Sequence, residues 1–115
     1  MIIKNSEMKI SERKEMRGGN KTVKIQEVVK PELLLHCRLF STLTLTPGCS
    51  IGQHEHTDEI EYYYILEGEG IVTEKTGEKT VTKGDVVITG WGDSHAIRND
   101  SNTDLKFLAV ILLEK

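Results

Sequence analysis

Cysteine and proline are scarce in this sequence of 115 residues, which contains two of each. The cysteines, Cys37 and Cys49, are separated by eleven residues, so they form neither a CxxC pair nor a disulfide framework. No apolar run approaches the roughly 18 residues of a membrane-spanning helix, and the first residues lack the apolar segment of a signal peptide. These absences predict a reduced, cytoplasmic protein in which both thiols are free.

A strong excess of either charge is also absent. The 15 basic and 18 acidic residues give a net charge of −3, so the surface does not attract phosphate backbones and we expect no nucleic-acid partner. With 37% apolar and 29% charged residues, the composition excludes both a disordered chain and a membrane protein. The length matches one domain that can bury its own core.

β-Branched residues are abundant in this sequence. Eleven Ile, eight Val and eleven Thr favour strands over helices. Apolar and polar residues alternate through short segments that end at turn signals such as Pro47-Gly48. We predict nine or ten strands, around residues 21–29, 38–46, 51–56, 60–66, 70–75, 79–82, 86–88, 95–97 and 106–113. This pattern, with almost no helix, predicts an all-β sandwich or barrel.

The first 20 residues are polar and poorly patterned, and the Gly18-Gly19-Asn20 cluster marks a break after them. Residues 6–16 fit either one or two short helical turns or a frayed arm. The sequence contains no repeat, linker or low-complexity tract. We therefore expect a short irregular N-terminal arm over residues 1–20 and a single domain over residues 21–115.

Three of the four histidines are candidate metal ligands. His54 and His56 are two residues apart, which places both imidazoles on one face of a strand. Glu61 follows at the start of the next predicted strand, and His95 must be brought in by the fold. Three nitrogens and one oxygen suit Mn, Fe, Ni, Zn or Cu better than Ca or Mg. Each of these residues, taken alone, also fits an ordinary core or surface position.

The glycines around these residues form two spaced motifs. The first is Gly48-x5-His54-x-His56-x4-Glu61-x6-Gly68, and the second is Gly84-x5-Gly90-x-Gly92-x2-His95-x3-Asn99. Both resemble the two conserved motifs of the cupins, and only Gly90 departs from them, because proline is usual at that position. The chain therefore resembles the small single-domain cupins of the conserved-barrel type.

The resemblance implies a fold and a ligand set. The fold would be a double-stranded β-helix, or jelly-roll barrel, with a divalent transition metal inside one mouth. His54, His56, Glu61 and His95 would be the metal ligands. Many cupins are homodimers with an N-terminal strand packed on the partner, and residues 21–29 could play that part here. Gly90 would loosen the turn before His95 without removing a ligand.

Other residues are candidates for the pocket around the metal. Tyr63 shares the strand face of Glu61, so its hydroxyl could lie near the metal, although a core tyrosine fits equally well. Arg38 begins a strand that should line the barrel, where it would bind a substrate carboxylate bidentately; the alternative is that it points to solvent. Glu59 at the rim could act as a general base. Trp91 could wall the pocket mouth or pack as a surface aromatic.

The walls of the pocket are expected to be apolar. The predicted lining consists of Leu43, Leu45, Ile65, Ile88, Leu108 and Val110. An apolar pocket with a metal and one or two polar groups indicates a small organic ligand.

The resemblance leaves three classes of function open. The first is a metal-dependent oxidoreductase, dioxygenase-like or decarboxylase-like, that acts on a small carboxylate or enol. The second is a non-redox isomerase, and the third is a non-catalytic module that binds or senses a metal and a small ligand. A further polar group within reach of the open coordination positions would favour an enzyme, and its absence would favour a binding protein.

Overall fold

The structure, a computed structural model, describes residues 1–114, which form ten strands and three short 3-10 turns. The strands are β1 Ile10–Lys14, β2 Thr22–Glu27, β3 Cys37–Leu45, β4 Ser50–Glu55, β5 Glu59–Glu67, β6 Glu69–Glu74, β7 Gly77–Thr82, β8 Val86–Gly90, β9 Ser94–Arg98 and β10 Leu105–Leu113. The turns are Asn5–Glu7, Met16–Gly18 and Pro31–Leu33. No helix in the described part of the chain is long and apolar enough to cross a membrane.

The strands form two antiparallel sheets that pack face to face. One sheet has six strands in the order β1-β2-β3-β10-β5-β8, and the other has four in the order β4-β9-β6-β7. Neighbours in space are mostly distant in sequence, as in a jelly roll. This all-β double-stranded β-helix confirms the predicted fold class, and Cys37 and Cys49 are both free thiols.

Alternate residues of each strand form the core between the sheets. In β10 the inward residues are Leu105, Phe107, Ala109 and Ile111, all of them buried. The predicted wall residues Leu43, Leu45 and Ile65 are also buried, as expected.

The other three predicted wall residues were assigned to the wrong face. Ile88 is 49% exposed, and Leu108 and Val110 lie on the outer face of their strand. Their strands are apolar on both faces, so the sequence carries no alternation that could show which face is the inner one. In β8 the inward residues are Val87 and Thr89 instead.

The N-terminal arm is more ordered than the sequence suggested. Residues 6–16, which fitted either short helical turns or a frayed arm, contain a strand instead, and the 3-10 turns Asn5–Glu7 and Met16–Gly18 lie at the two ends of that range. That strand, β1, pairs with β2 from Ile10↔Gln26 onwards. Every residue of β1 is exposed, so it has no apolar pattern by which the sequence could reveal it. Strand β2 in turn pairs with β1 and β3, so both of its edges are hydrogen-bonded within its own chain.

A β-bulge in β4 decides which of its side chains face the core. Ile51 pairs with Ile97 and His54 pairs with His95, so three steps along β4 match two steps along β9. The extra residue, within 52–53, brings Ile51 and His54 to the same inner face although their spacing is odd.

The N-terminal turn Met16–Gly18 packs directly against this bulge. A Cβ atom added to Gly52 would lie 2.1 Å from the carbonyl oxygen of Arg17, and one added to Gly19 would lie 2.1 Å from that of Ser50. Both distances are far shorter than a non-bonded contact between carbon and oxygen can be. The two backbones can therefore approach this closely only because both residues are glycines.

We expect Gly52→Ala to destabilise the protein by about 2–3 kcal/mol, because the added methyl group meets backbone atoms that cannot move aside cheaply. Urea denaturation measures the change. Gln53→Ala is the matched control, since it removes one exposed hydrogen bond to Ser94 and should cost less than about 1 kcal/mol. Equal stability of Gly52→Ala and wild type would contradict the close packing of this turn on β4.

Candidate metal centre

Four side chains with metal-ligating atoms meet between the two sheets. His54 lies on β4 and His56 directly follows that strand, His95 lies on β9, and Glu61 reaches in from β5 of the opposite sheet. Their side chains are 8%, 1%, 1% and 5% exposed, respectively. One ligand atom from each residue lies within 4.8 Å of the others, so the cluster could bind a metal ion.

The distances between these atoms fit a common coordination sphere. The Nε2 atom of His95 lies 3.0 Å from that of His54 and 3.2 Å from that of His56. The Oε1 atom of Glu61 lies 2.8 Å, 2.9 Å and 3.8 Å from the Nε2 atoms of His56, His95 and His54. Adjacent ligands of an octahedral ion, each about 2.1 Å from the metal, lie about 3 Å apart.

In His54 and His56, the hydrogen bond at the outer ring nitrogen, Nδ1, fixes which nitrogen carries the proton. His54 Nδ1 lies 2.7 Å from the carbonyl oxygen of Gly52, which can only accept a hydrogen bond, so this nitrogen carries the proton. His56 Nδ1 lies 2.5 Å from the carboxylate of Glu59 and is fixed in the same way. With Nδ1 protonated, the Nε2 atom of a neutral imidazole presents a lone pair to the centre of the cluster.

His95 is held from the opposite sheet. Its Nδ1 atom lies 2.8 Å from the hydroxyl oxygen of Thr89, which is 3% exposed and pairs directly with Glu61 across β8 and β5. The ring of Tyr63 stacks on the His95 ring with centroids 4.8 Å apart. Contacts of this kind hold an imidazole at one orientation, which metal binding requires.

Glu61 supplies the negative charge of the cluster. Burial alone would raise the pKa of its carboxyl, but protons that the three imidazoles direct towards it lower that pKa well below its ordinary value, and a metal ion in place of those protons would act in the same direction. Oε1 of Glu61 is also the one buried side-chain oxygen or nitrogen, over residues 1–114, that has no hydrogen-bond partner. A buried anion that faces lone pairs is stabilised by a cation, so these residues fit a metal.

Burial lowers the pKa of both His95 and His56 and the Glu61 carboxylate raises it, but the net shift differs in direction between the two histidines. Burial lowers the pKa of His95, which keeps its ring neutral and able to bind a metal. Burial would also lower the pKa of His56, but the carboxylates of Glu61 and Glu59 outweigh it and raise that pKa above its ordinary value. The two carboxylates beside His56 therefore favour positive charge at that residue.

The structure places the remaining candidates at and around the mouth. Arg38, whose side chain is 45% exposed, binds a carboxylate bidentately, but that carboxylate belongs to Glu59 of the same chain. Tyr63 is buried, and burial together with Glu61 raises the pKa of its hydroxyl well above the ordinary value. Trp91 is 76% exposed and, with Glu59, lines a cleft of about 460 Å³.

The sequence did not predict the supporting roles of Gly52 and Thr89, and it indicated for Glu59 only a possible role as a general base. Gly52 and Thr89 hold Nδ1 atoms of the histidines, and Glu59 does the same for His56. The sequence offered no signal for Thr89, because the apolar run before it does not show which face of β8 is the inner one. A carbonyl oxygen such as that of Gly52 leaves no trace in a sequence. Gly90, the residue that departs from the usual motif, is buried against Ile60 at the end of β8.

The two packed sheets and the buried cluster define a jelly-roll barrel protein with a candidate metal centre in its interior. A cupin domain model matches residues 41–111, a range that includes all four cluster residues. Together with a relative that is 41% identical over nearly the whole chain, this match shows that the protein belongs to the cupin family.

That relative is named an oxalate-binding protein and comes from Thermotoga maritima; the alignment covers 98% of this chain and 94% of the relative. An uncharacterised protein of Methanocaldococcus jannaschii is 32% identical over 73% of this chain and 68% of its own length.

Solved structures show the same fold. The crystal structure of a predicted oxalate decarboxylase from Thermotoga maritima superposes with a TM-score of 0.93, at 41% identity, and covers 98% of this chain and 99% of that one. A polyketide cyclase from Streptomyces resistomycificus superposes with a TM-score of 0.79 at 14% identity, over 100% of this chain and 80% of that one. The second likeness concerns the fold alone.

Metal binding should depend on the cluster histidines. We expect His54→Ala or His95→Ala to lower the metal content of the purified protein strongly while the barrel stays folded, because the apolar core is untouched. For the wild type, metal at about 100 times its dissociation constant should stabilise the fold by about 2.7 kcal/mol. Elemental analysis and thermal melts, with and without a chelator, measure both effects.

The fourth histidine provides the control for this experiment. His36 is exposed, lies outside the cluster and has a left-handed backbone with φ 53°, which asparagine tolerates. His36→Asn should keep the metal content of the wild type. Unchanged metal content in both His54→Ala and His95→Ala would refute the site.

Proposed function

We propose that this protein binds a small dicarboxylate of the oxalate type through a divalent transition metal held by His54, His56, Glu61 and His95. The observation that carries the proposal is the convergence of three histidine Nε2 atoms and one carboxylate oxygen at a single buried point. The identity of the metal, among Mn, Fe, Ni, Zn and Cu, is left open by a ligand set of three nitrogens and one oxygen.

The size and chemistry of the ligand follow from the coordination positions that the four protein ligands leave open on the metal. Four protein ligands leave two positions of an octahedral ion, and a dicarboxylate can fill both with one oxygen from each carboxyl group. The inner faces around the cluster are apolar, with Leu43, Ile65 and Phe107 among the buried residues, so a larger polar ligand would find few partners. The similarity to an oxalate-binding protein supports the same ligand class.

Binding is favoured over catalysis by what surrounds the cluster. Glu59 already accepts from Arg38 and His56, and Thr89 is hydrogen-bonded to His95. The pKa of the Tyr63 hydroxyl is raised well above its ordinary value, so this group stays protonated and is not a base, and it holds its proton too tightly to be an effective acid. Within residues 1–114, no uncommitted carboxylate lies in the cluster, and a metal-bound dicarboxylate would therefore have no ready general acid or base.

A decarboxylase-like reaction is the second candidate, and Glu59 is the residue that favours it. Its side chain is 12% exposed at the mouth, and it would have to release Arg38 before it could transfer a proton. The catalytic roles predicted for Tyr63 and Arg38, the dioxygenase-like and isomerase alternatives, the cytoplasmic location and the absence of a nucleic-acid partner all stay predictions.

Calorimetry with metal-loaded and chelator-treated protein tests the proposed function. We expect oxalate to bind the metal-loaded wild type and to lose measurable binding in the chelator-treated protein and in His95→Ala. Acetate, which has one carboxyl group, should bind at least about tenfold more weakly, because it cannot fill both positions with separate carboxyl groups. Assays for carbon dioxide and formate decide between binding and decarboxylation. Oxalate binding that survives metal removal would contradict the proposal.

We also propose that a second copy of the chain packs on the outer surface of the six-stranded sheet. We define the outer apolar face as a patch of uncharged residues on β5, β8 and β10 whose cross-strand pairs include Tyr62↔Ile88 and Leu108↔Tyr64. Its members are Ile60, Tyr62, Tyr64, Val86, Ile88, Leu108, Val110 and Leu112.

The size and charge of this face fit a homodimer. Strand and residue spacings give it roughly 400 Å² in projection, which is large for the free surface of a monomer. Two such faces would together bury roughly 1,000 Å² of accessible surface, the lower range for a specific interface. Because none of the residues is charged, two copies related by a twofold axis meet without like-charge repulsion.

Ile88→Lys should convert the dimer to a monomer, because the residue is 49% exposed in the isolated chain and its replacement places a charge within an interface that otherwise has none. Light scattering after size-exclusion chromatography should give twice the 13.0 kDa chain mass for the wild type. Ile10→Lys is the control, as Ile10 is 56% exposed on β1, away from this face. A monomeric wild type, or an Ile88→Lys dimer, would refute this interface.

A further inference from the structure

A chain of charged and polar contacts runs from the protein surface to the metal cluster. Arg38 donates from Nε to Oε1 of Glu59 and from Nη2 to Oε2, with both distances 2.7 Å. The same Oε2 atom lies 2.5 Å from Nδ1 of His56. His56 in turn places its Nε2 atom 2.8 Å from Oε1 of Glu61. Three contacts therefore connect an exposed guanidinium to the centre of the cluster.

A second β-bulge gives Arg38 its direction. Ile111 pairs with Leu39, but the next residue of β10, Leu112, pairs with Cys37. Arg38 is the extra residue in β3, and such a residue is aimed away from the regular alternation of its strand. Bulges of this kind occur at barrel rims, where they direct a side chain towards a site.

His56 differs from the other two histidines in the charge of its outer partner. The Nδ1 atoms of His54 and His95 are bonded to a carbonyl and a hydroxyl oxygen, which are both neutral. His56 alone among the cluster histidines is bonded to a carboxylate. A carboxylate at this position fixes the tautomer of an imidazole and makes its other nitrogen a stronger ligand.

We propose that Glu59 is the positioning residue for His56 and that Arg38 holds Glu59 in place for that task. The inference rests on the proposed metal centre and adds to it a connection between the rim and one metal ligand. Both oxygens of Glu59 are occupied by Arg38, so the carboxylate can turn away from His56 only if it first breaks a bidentate ion pair.

An ion pair elsewhere in the protein provides a matched control. Arg98 contacts Glu78 through two nitrogens and also Asp100, and these carboxylate side chains are 52% and 53% exposed. The pair lies on the four-stranded sheet and touches none of the cluster residues. Its loss removes a bidentate arginine–carboxylate contact of the same type without any connection to a metal ligand.

Chelator competition with Mn²⁺ or Zn²⁺ tests the proposal. We expect Glu59→Ala to weaken metal affinity about 10- to 100-fold, as loss of such a partner typically does. Glu59→Gln should weaken it less, because its amide oxygen still accepts from Nδ1. Arg38→Met should also weaken it less than Glu59→Ala, while Glu78→Gln and Arg98→Met leave it unchanged. Wild-type affinity in Glu59→Ala would overturn the proposal.

Nuclear magnetic resonance of metal-free protein labelled with ¹⁵N at histidine separates positioning from a general loss of structure. We expect a slowly exchanging Nδ1 proton signal of His56 in the wild type that disappears in Glu59→Ala, while the signal of His54, whose Nδ1 donates to the carbonyl oxygen of Gly52, remains. A His56 signal that persists in Glu59→Ala would overturn the proposal even if affinity fell. A wild type that binds no metal would refute the metal centre, and the proton signal would still test the contact between Glu59 and His56.

Discussion

Three imidazole nitrogens and one carboxylate oxygen point at one another inside this barrel. The Nδ1 protons of His54 and His56 are committed outward, to a carbonyl oxygen and a carboxylate, so the inner nitrogens carry lone pairs. Glu61 adds a buried oxygen that has no hydrogen-bond donor within the described chain. Such an arrangement is costly in a protein interior unless a cation joins it. The remaining architecture can be understood as the support of this cluster, with contributions from both sheets and from the N-terminal turn.

Two departures from regular strand geometry help to orient the residues of the cluster. A regular β4 would turn His54 outward if Ile51 stayed in the core, and the bulge at 52–53 removes that conflict. The turn Met16–Gly18 packs closely against this bulge, an approach that only glycine at positions 19 and 52 permits. A separate bulge in β3 brings Arg38 to Glu59 and so, indirectly, to His56. Residues that lie far from the metal in sequence thus fix the orientation of its ligands.

The two faces of the six-stranded sheet serve different purposes. Its inner face supplies Glu61, Tyr63 and Thr89 to the cluster and its surroundings. Its outer face is almost as apolar, with Tyr64, Val86 and Ile88 each about half exposed. A strand that is apolar on both sides normally has a partner on both sides. The apolar residues on both faces, which hid the inner face in the sequence, are therefore the reason for the dimer interface proposed on the outer one.

The sequence by itself determined that the chain is all-β and, through its two spaced motifs, indicated a jelly roll and the four residues of the cluster. Period-two alternation and turn residues define strands locally, and the His-x-His spacing places two imidazoles together on any strand. What the sequence could not determine was the inner face of β8 and β10, the strand β1, and the supporting roles of Gly52, Glu59 and Thr89. Strands that are apolar or polar on both faces carry no alternation to read, and a bulge inverts the alternation that exists. Hydrogen bonds to carbonyl oxygens and between distant strands arise only when tertiary packing brings the partners together, and so only the structure could assign them.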